Sequence, residues 1–135
     1  MKQVIVMRTD LRNTEGHKVR SGKLMAQAAH ASMAAVLPYL QGFSGTEEET
    51  AEWSKKALLV DEWLQNSFTK VVVRAESEVQ LSDVYTDALA QGLIAAPILD
   101  NGLTEFGGRT TFTCIAVGPD TDEKLAPVTG WLKLF

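Results

Sequence analysis

The sequence predicts an α/β fold: a single four-stranded mixed β-sheet with helices on both faces, a three-layer α/β/α arrangement. Three observations predict it. Short β-branched runs alternate with longer helical patterns in the order β, α, α, β, α, β, β, α. The crossovers that pass through helices imply parallel neighbours. The turn-rich link between the last two strands permits an antiparallel pair, which makes the sheet mixed. At 135 residues, with 45% hydrophobic and 22% charged side chains, one domain over residues 1–135 is expected, with enough apolar surface for one core.

Each element has a local reason. Val4–Met7 is an apolar run of buried-strand character. Residues 9–22 are polar and contain Gly16 and Gly22, so a loop is expected there. From Ser21, a plausible N-cap, to about Gln41 the pattern is helical, with Met25, Ala28, Ala29, Ser32, Val36 and Tyr39 as the apolar stripe. A break at Gly42–Thr46 precedes a second helix over Glu48–Leu64, whose first turn is acidic. Lys70–Arg74 is a second strand. Glu78–Ala90 is a third helix stopped by Gly92. Leu93–Leu99 gives a third strand. Asn101-Gly102 and Gly107-Gly108 mark turns. Thr111–Val117 forms the last strand, and a short helix follows near Asp122–Ala126.

Composition excludes several function classes. The lone cysteine, Cys114, allows no internal disulfide, which suits a reducing compartment. No apolar run is long enough to span a bilayer, and the N-terminal stretch lacks a signal-peptide pattern. Two histidines and one cysteine offer no usual metal-ligand spacing, and no nucleophile-elbow pattern is present. A net charge of −4 argues against a general nucleic-acid binder. The charge is uneven, however: residues 1–30 carry six cations against two carboxylates, and residues 43–62 carry six carboxylates against two lysines. The first region can meet phosphates, or both can be solvated faces.

Two stretches carry chemistry. Lys23, Gln27 and His30 stand at i, i+4 and i+7 and share one helix face among small and apolar neighbours. A cation in the first helical turn, beside free backbone N–H groups, suits an anion or a developing oxyanion. The plainer alternative is a solvated lysine with two buried polar residues that bond neighbouring loops. A phosphate loop is rejected, because five residues separate Gly16 from Gly22-Lys23 and Leu24 stands where a hydroxyl is needed. The second stretch is Asp100-Asn101-Gly102-Leu103-Thr104, followed by Thr110, Thr111 and Thr113. An aspartate at a strand end can orient water or act as a base. Ordinary turn chemistry also accounts for Asp-Asn-Gly. Trp53, Trp63 and Trp131 read as packing or dimer-contact residues.

VIVMRTDL, GKLMAQAAHAS, DNGLT, TFTCIAVGP and TGWLKLF, in that order across almost the whole chain, resemble the type-two peptidyl-tRNA hydrolases. The resemblance implies cleavage of the ester between a peptide and the 3′ ribose of tRNA, with no cofactor and no metal, by a cytoplasmic homodimer. It places the family's lysine on Lys23, its glutamine and histidine on Gln27 and His30, its aspartate on Asp100, and its threonines on Thr104, Thr111 and Thr113. In this reading Asp100 orients or deprotonates water and Lys23 stabilises the oxyanion. Thr104 and Thr113 position the ester, while Gln27 and His30 tie helix to loop. Arg12, Lys18, Arg20 and Arg109 are candidates for tRNA backbone contacts. The segment between Asp10 and Lys23 is longer than the family pattern, and the Gly107-Gly108-Arg109 turn departs from it. Two rival readings therefore stay open: a non-catalytic RNA- or protein-binding module, and a hydrolase of another acyl ester.

Overall fold

A computed structural model describes residues 1–135. The elements run β1 (Lys2–Arg8), α1 (Ser21–Leu40), α2 (Glu47–Gln65), β2 (Lys70–Ala75), α3 (Glu78–Ala90), β3 (Ala95–Asp100), β4 (Thr111–Asp120) and α4 (Asp122–Thr129). They form one four-stranded sheet of order β2-β1-β4-β3. β1 is parallel to β2, and β4 is antiparallel to both β1 and β3. The sheet is mixed, as expected from the order of elements. The C-terminal ends of β1, β2 and β3 therefore share one rim with the start of β4.

β1 is central. Val4 to Met7 are at most 3% exposed, because helices cover both sheet faces. Alternate residues of β1 feed two separate cores. Val4 and Val6 join Val73, Leu81, Val84, Ala88, Ile115, Val117, Leu125 and Val128 beneath α3 and α4. Ile5 and Met7 join Ala31, Ala35, Val60, Trp63, Cys114 and Ala116 beneath α1 and α2. The small residues on α1 let that helix sit close to the sheet.

Local chemistry explains the helix limits. Thr46 and Glu49 form a reciprocal capping box at the start of α2, and Ser77 and Thr121 cap α3 and α4. Pro38 lies near the end of α1, and its carbonyl accepts from the Trp53 indole at 2.9 Å. Beyond α4 the chain returns to the outer edge of β2. Leu134 bridges Val73, the Arg74 N–H donates to the Lys133 carbonyl, and the Phe135 N–H donates to the Val72 carbonyl.

Three expectations need correction. Ser21 is the first helical residue and not the cap; Arg20 holds the cap position and offers no side-chain cap. The apolar stripe expected for α1 is rotated, since Met25 is 70% exposed while Gln27, Ala31, Ala35 and Val36 are buried. Of the three residues chosen for polarity, Gln27 and Lys23 face inward and His30 is exposed. Finally, residues 11–19 are more ordered than a loop. Arg12 and Lys18 form an antiparallel bridge, and the Asn13 side chain accepts from the Glu15 and His17 N–H groups. Leu11 and Val19 pack there against Phe106, forming a third small core.

Candidate active site

The site begins with two elements that meet at the strand-end rim. α1 delivers Lys23 and Gln27 from its first turns, and β3 delivers Asp100 from its last residue. Lys23 Nζ lies 2.7 Å from Asp100 Oδ1 and donates to Thr104 Oγ1 at 2.9 Å. Gln27 Nε2 donates to Asp100 Oδ1 at 3.2 Å, and the Gly102 N–H donates to Oδ2 at 3.0 Å. The ion pair is mostly enclosed: the side chains of Lys23 and Asp100 are 17% and 9% exposed.

Beneath this pair lies a neutral layer. Thr113 Oγ1 donates to Gln27 Oε1 at 2.6 Å, and Cys114 Sγ donates to the Gln27 carbonyl at 3.4 Å. Adjacent strand residues normally face opposite sides of a sheet. Here a bulge intervenes: Ile98 pairs with Cys114, but Leu99 pairs with Phe112, leaving Thr113 as the extra residue. The bulge lets Thr113 and Cys114 both address α1. Gln27 thus has both ends of its amide satisfied, which fixes its orientation and that of Asp100.

The loop holding Asp100 requires glycine at 102. Gly102 has φ +79°, and a Cβ there would stand 2.3 Å from the Arg109 carbonyl oxygen. Glu105 fastens this loop to α1, accepting from the Arg20 N–H at 3.4 Å and pairing with the Arg20 side chain at 3.7 Å. Phe106 is buried below, its ring centroid 5.9 Å from Lys23 Nζ. Sequence reading missed Glu105 and Phe106, whose partners lie some eighty residues away in the chain.

Burial alone would raise the Asp100 carboxyl. Hydrogen bonds from Lys23, Gly102 and Gln27, with the Lys23 charge, outweigh it and hold the pKa below the usual value. Asp100 is therefore a carboxylate at neutral pH and a weak base. Cys114 is the reverse case: burial pushes its thiol up to about 11, against a smaller opposing effect of Thr113. It is an inert packing thiol at neutral pH.

The structure brings Lys23, Gln27, Asp100, Thr104 and Thr113 together. The other two expected residues, His30 and Thr111, make no side-chain hydrogen bond to this group. His30 is exposed one turn further along α1 with no side-chain hydrogen bond, so it ties no loop to the helix. Thr111 is the cross-strand partner of Asp100, with its hydroxyl turned to the Arg109 carbonyl at 3.0 Å and making no hydrogen bond to Lys23 or Asp100. Thr113 is 0% exposed, so it holds Gln27 and does not reach the open cleft. Arg12, Lys18, Arg20 and Arg109 are all exposed on the two loops at the rim, but Arg20 is engaged by Glu105. No three His, Cys, Asp or Glu side chains converge as a metal cluster. The carboxylate-rich start of α2 lies beside Tyr39, where Glu52 helps raise the phenol after burial has done most. That is sixteen residues from Lys23, or about 24 Å along α1.

The family profile described as Peptidyl-tRNA hydrolase PTH2 matches residues 1–135. The chain belongs to this family. Relatives named peptidyl-tRNA hydrolase are similar over the whole length. That of Methanocaldococcus jannaschii is 37% identical over 135 residues, covering 100% of both chains. That of Haloquadratum walsbyi is 38% identical, again over 100% of both. That of Thermococcus onnurineus is 38% identical over 133 residues, 98% of this chain and 96% of its own.

Proposed function

We propose that this chain hydrolyses the ester bond of peptidyl-tRNA at the Lys23–Asp100–Thr104 constellation, releasing peptide and free tRNA. Full-length membership of the family supports the reaction. The observation that carries the site is the enclosed Lys23–Asp100 pair with hydrogen-bonding capacity to spare.

That capacity can be counted. An ammonium has three N–H donors. Two of Lys23's are committed, to Asp100 and Thr104, so the third is free for the carbonyl oxygen as it gains charge. Thr104 accepts from Lys23, which leaves its own hydrogen able to donate to the same oxygen. Asp100 accepts three bonds of about four that a carboxylate can take. The remaining lone pair on Oδ2 orients a water towards the ester carbon. Its lowered pKa assigns Asp100 to orientation and charge balance more than to proton abstraction. The attacking water's proton passes to the leaving ribose oxygen or to solvent. Gln27 and Thr113 are positioning residues that keep Asp100 aimed.

Arg12, Lys18 and Arg109 are assigned to the tRNA backbone on their position at the rim. No helix is long and apolar enough to cross a membrane. We further take residues 1–135 as one domain working in the cytoplasm as a homodimer, in keeping with the single thiol and with the family. Light scattering of the purified protein tests the dimer. Release of free tRNA from N-blocked aminoacyl-tRNA, compared with hydrolysis of small acyl esters, tests the reaction; turnover confined to the small esters would refute the tRNA assignment.

A further inference from the structure

Two cavities adjoin the start of α1 and share the side chains of Leu24 and Phe135. One, of about 260 Å³, is lined by Arg8, Arg12, Lys18 and Arg74 with no Asp or Glu side chain in its wall. The other, of about 310 Å³, is lined by Met7, Leu24, Met25, Ala28, Val72 and Phe135. The cations of the first are unequal. Arg8 is locked by a two-pronged bond to Asp10 at 2.8 and 2.9 Å, so its charge is matched. Arg12 and Lys18 have no carboxylate within 4 Å, whereas most cations elsewhere are paired. Arg74 is the telling member: its Nε is buried and donates to nothing, with the nearest carboxylate oxygen, on Glu76, 4.0 Å off. A buried guanidinium N–H without an acceptor is costly unless a ligand supplies one.

A cationic cavity joined to an apolar, aromatic-walled one fits an amphipathic ligand that is anionic at one end and flat at the other. We propose that the two cavities together seat one nucleotide of the tRNA acceptor end, its phosphate against Arg74, Lys18 and Arg12 and its base against Phe135 and Leu24. This rests on the hydrolase reading above and deepens it. The cavities flank the first turn of α1 on the side opposite Asp100, and Leu24 directly follows Lys23. A strand seated there would pass around the first turn of α1 to place its 3′ ester at the Lys23 ammonium, which faces Asp100. Arg74 and Phe135 thereby gain roles in substrate binding that no motif indicated.

The test is fluorescence anisotropy of a short labelled single-stranded RNA ending in CCA, which reads binding without turnover. Arg74→Ala and Lys18→Ala should each weaken binding about tenfold at low salt and reduce the salt slope by about one. Phe135→Ala should weaken it about tenfold with the slope unchanged. Lys124→Ala, at the opposite end of the sheet, is the control. Binding by Arg74→Ala and Lys18→Ala equal to that of Lys124→Ala would overturn the proposal. Weakened binding in Arg74→Ala together with a wild type that released no tRNA would keep the cavity and remove the hydrolase reading; turnover by the wild type with binding unchanged in Arg74→Ala would do the reverse.

Discussion

The two faces of the sheet are built from different materials. Under α3 and α4 the fully buried cluster is aliphatic, from Val4 and Val6 to Leu81, Val84 and Leu125, with Tyr85 and Phe112 packed at its edge and Thr129 bonded within its own helix. Under α1 and α2 it contains alanines, a thiol and buried polar side chains: Gln27 and Thr113 bonded to each other, and Gln3 bonded to Ser32. The aliphatic face gains stability from burial alone. The polar face accepts a smaller gain and uses its hydrogen bonds to fix where Asp100 and Lys23 stand. This division predicts that one face can be weakened without altering the chemistry and that the other can lose the chemistry without unfolding.

Substitutions on each face put that division at risk. The largest expected effect is on activity: Lys23→Ala should lower kcat on N-blocked aminoacyl-tRNA about 100- to 1000-fold, with the melting temperature little changed. Wild-type turnover in this variant would remove Lys23 from the reaction. Leu81→Ala, which is 0% exposed on the aliphatic face, should cost about 2–5 kcal/mol in denaturant titration while the folded fraction keeps its kcat. An equal loss of kcat per folded molecule would mean the faces are not separable. Thr113→Val keeps the volume but leaves Gln27 Oε1 without its donor. A cost of about 1–3 kcal/mol is expected, with kcat falling more than KM rises.

The pH dependence is a subtler probe. Because Asp100 titrates below the usual carboxylate value, its contribution to stability is complete above that value and fades only as pH falls through the lowered one. A profile of kcat/KM should therefore have no acid limb from Asp100 between pH 5 and 7. A limb near pH 6 that disappears in Asp100→Asn would reverse its role to that of a base. Cys114 works in the other direction: its raised pKa stabilises the fold fully below its ordinary value near 9, and this contribution is lost as pH rises towards about 11. Thermal melts from pH 8 to 11 should decline more steeply for the wild type than for Cys114→Ala. The smallest effect is expected at His30, exposed and unbonded, where His30→Ala should change turnover less than about twofold.

The order of elements and the mixed sheet were legible because periodicity and glycine turns are local marks, whereas the meeting of Lys23 with Asp100, 77 positions apart, was implied by the family resemblance alone. Other features leave no local mark. The inward rotation of α1 reverses the usual rule that polar residues face out, since Gln27 is buried only because Thr113 and Asp100 satisfy it. The bulge at Thr113 is a one-residue register shift against β3, invisible within β4 itself. The ordered segment 11–19 rests on two isolated apolar residues, Leu11 and Val19, whose partner Phe106 comes from the far end of the chain. Arg74 reads as an ordinary strand-end cation until the structure shows that its Nε lacks an acceptor.

The return of residues 133–135 to β2 has a consequence for how these molecules meet one another. A bare outer strand is a template on which a second copy can zip, and repetition of that contact at both margins gives fibrils. Here one margin is already occupied by the molecule's own backbone. The other, β3, is six residues long and interrupted by Pro97, which has no N–H to offer. End-to-end polymerisation through the strands is thus blocked on one side and discouraged on the other.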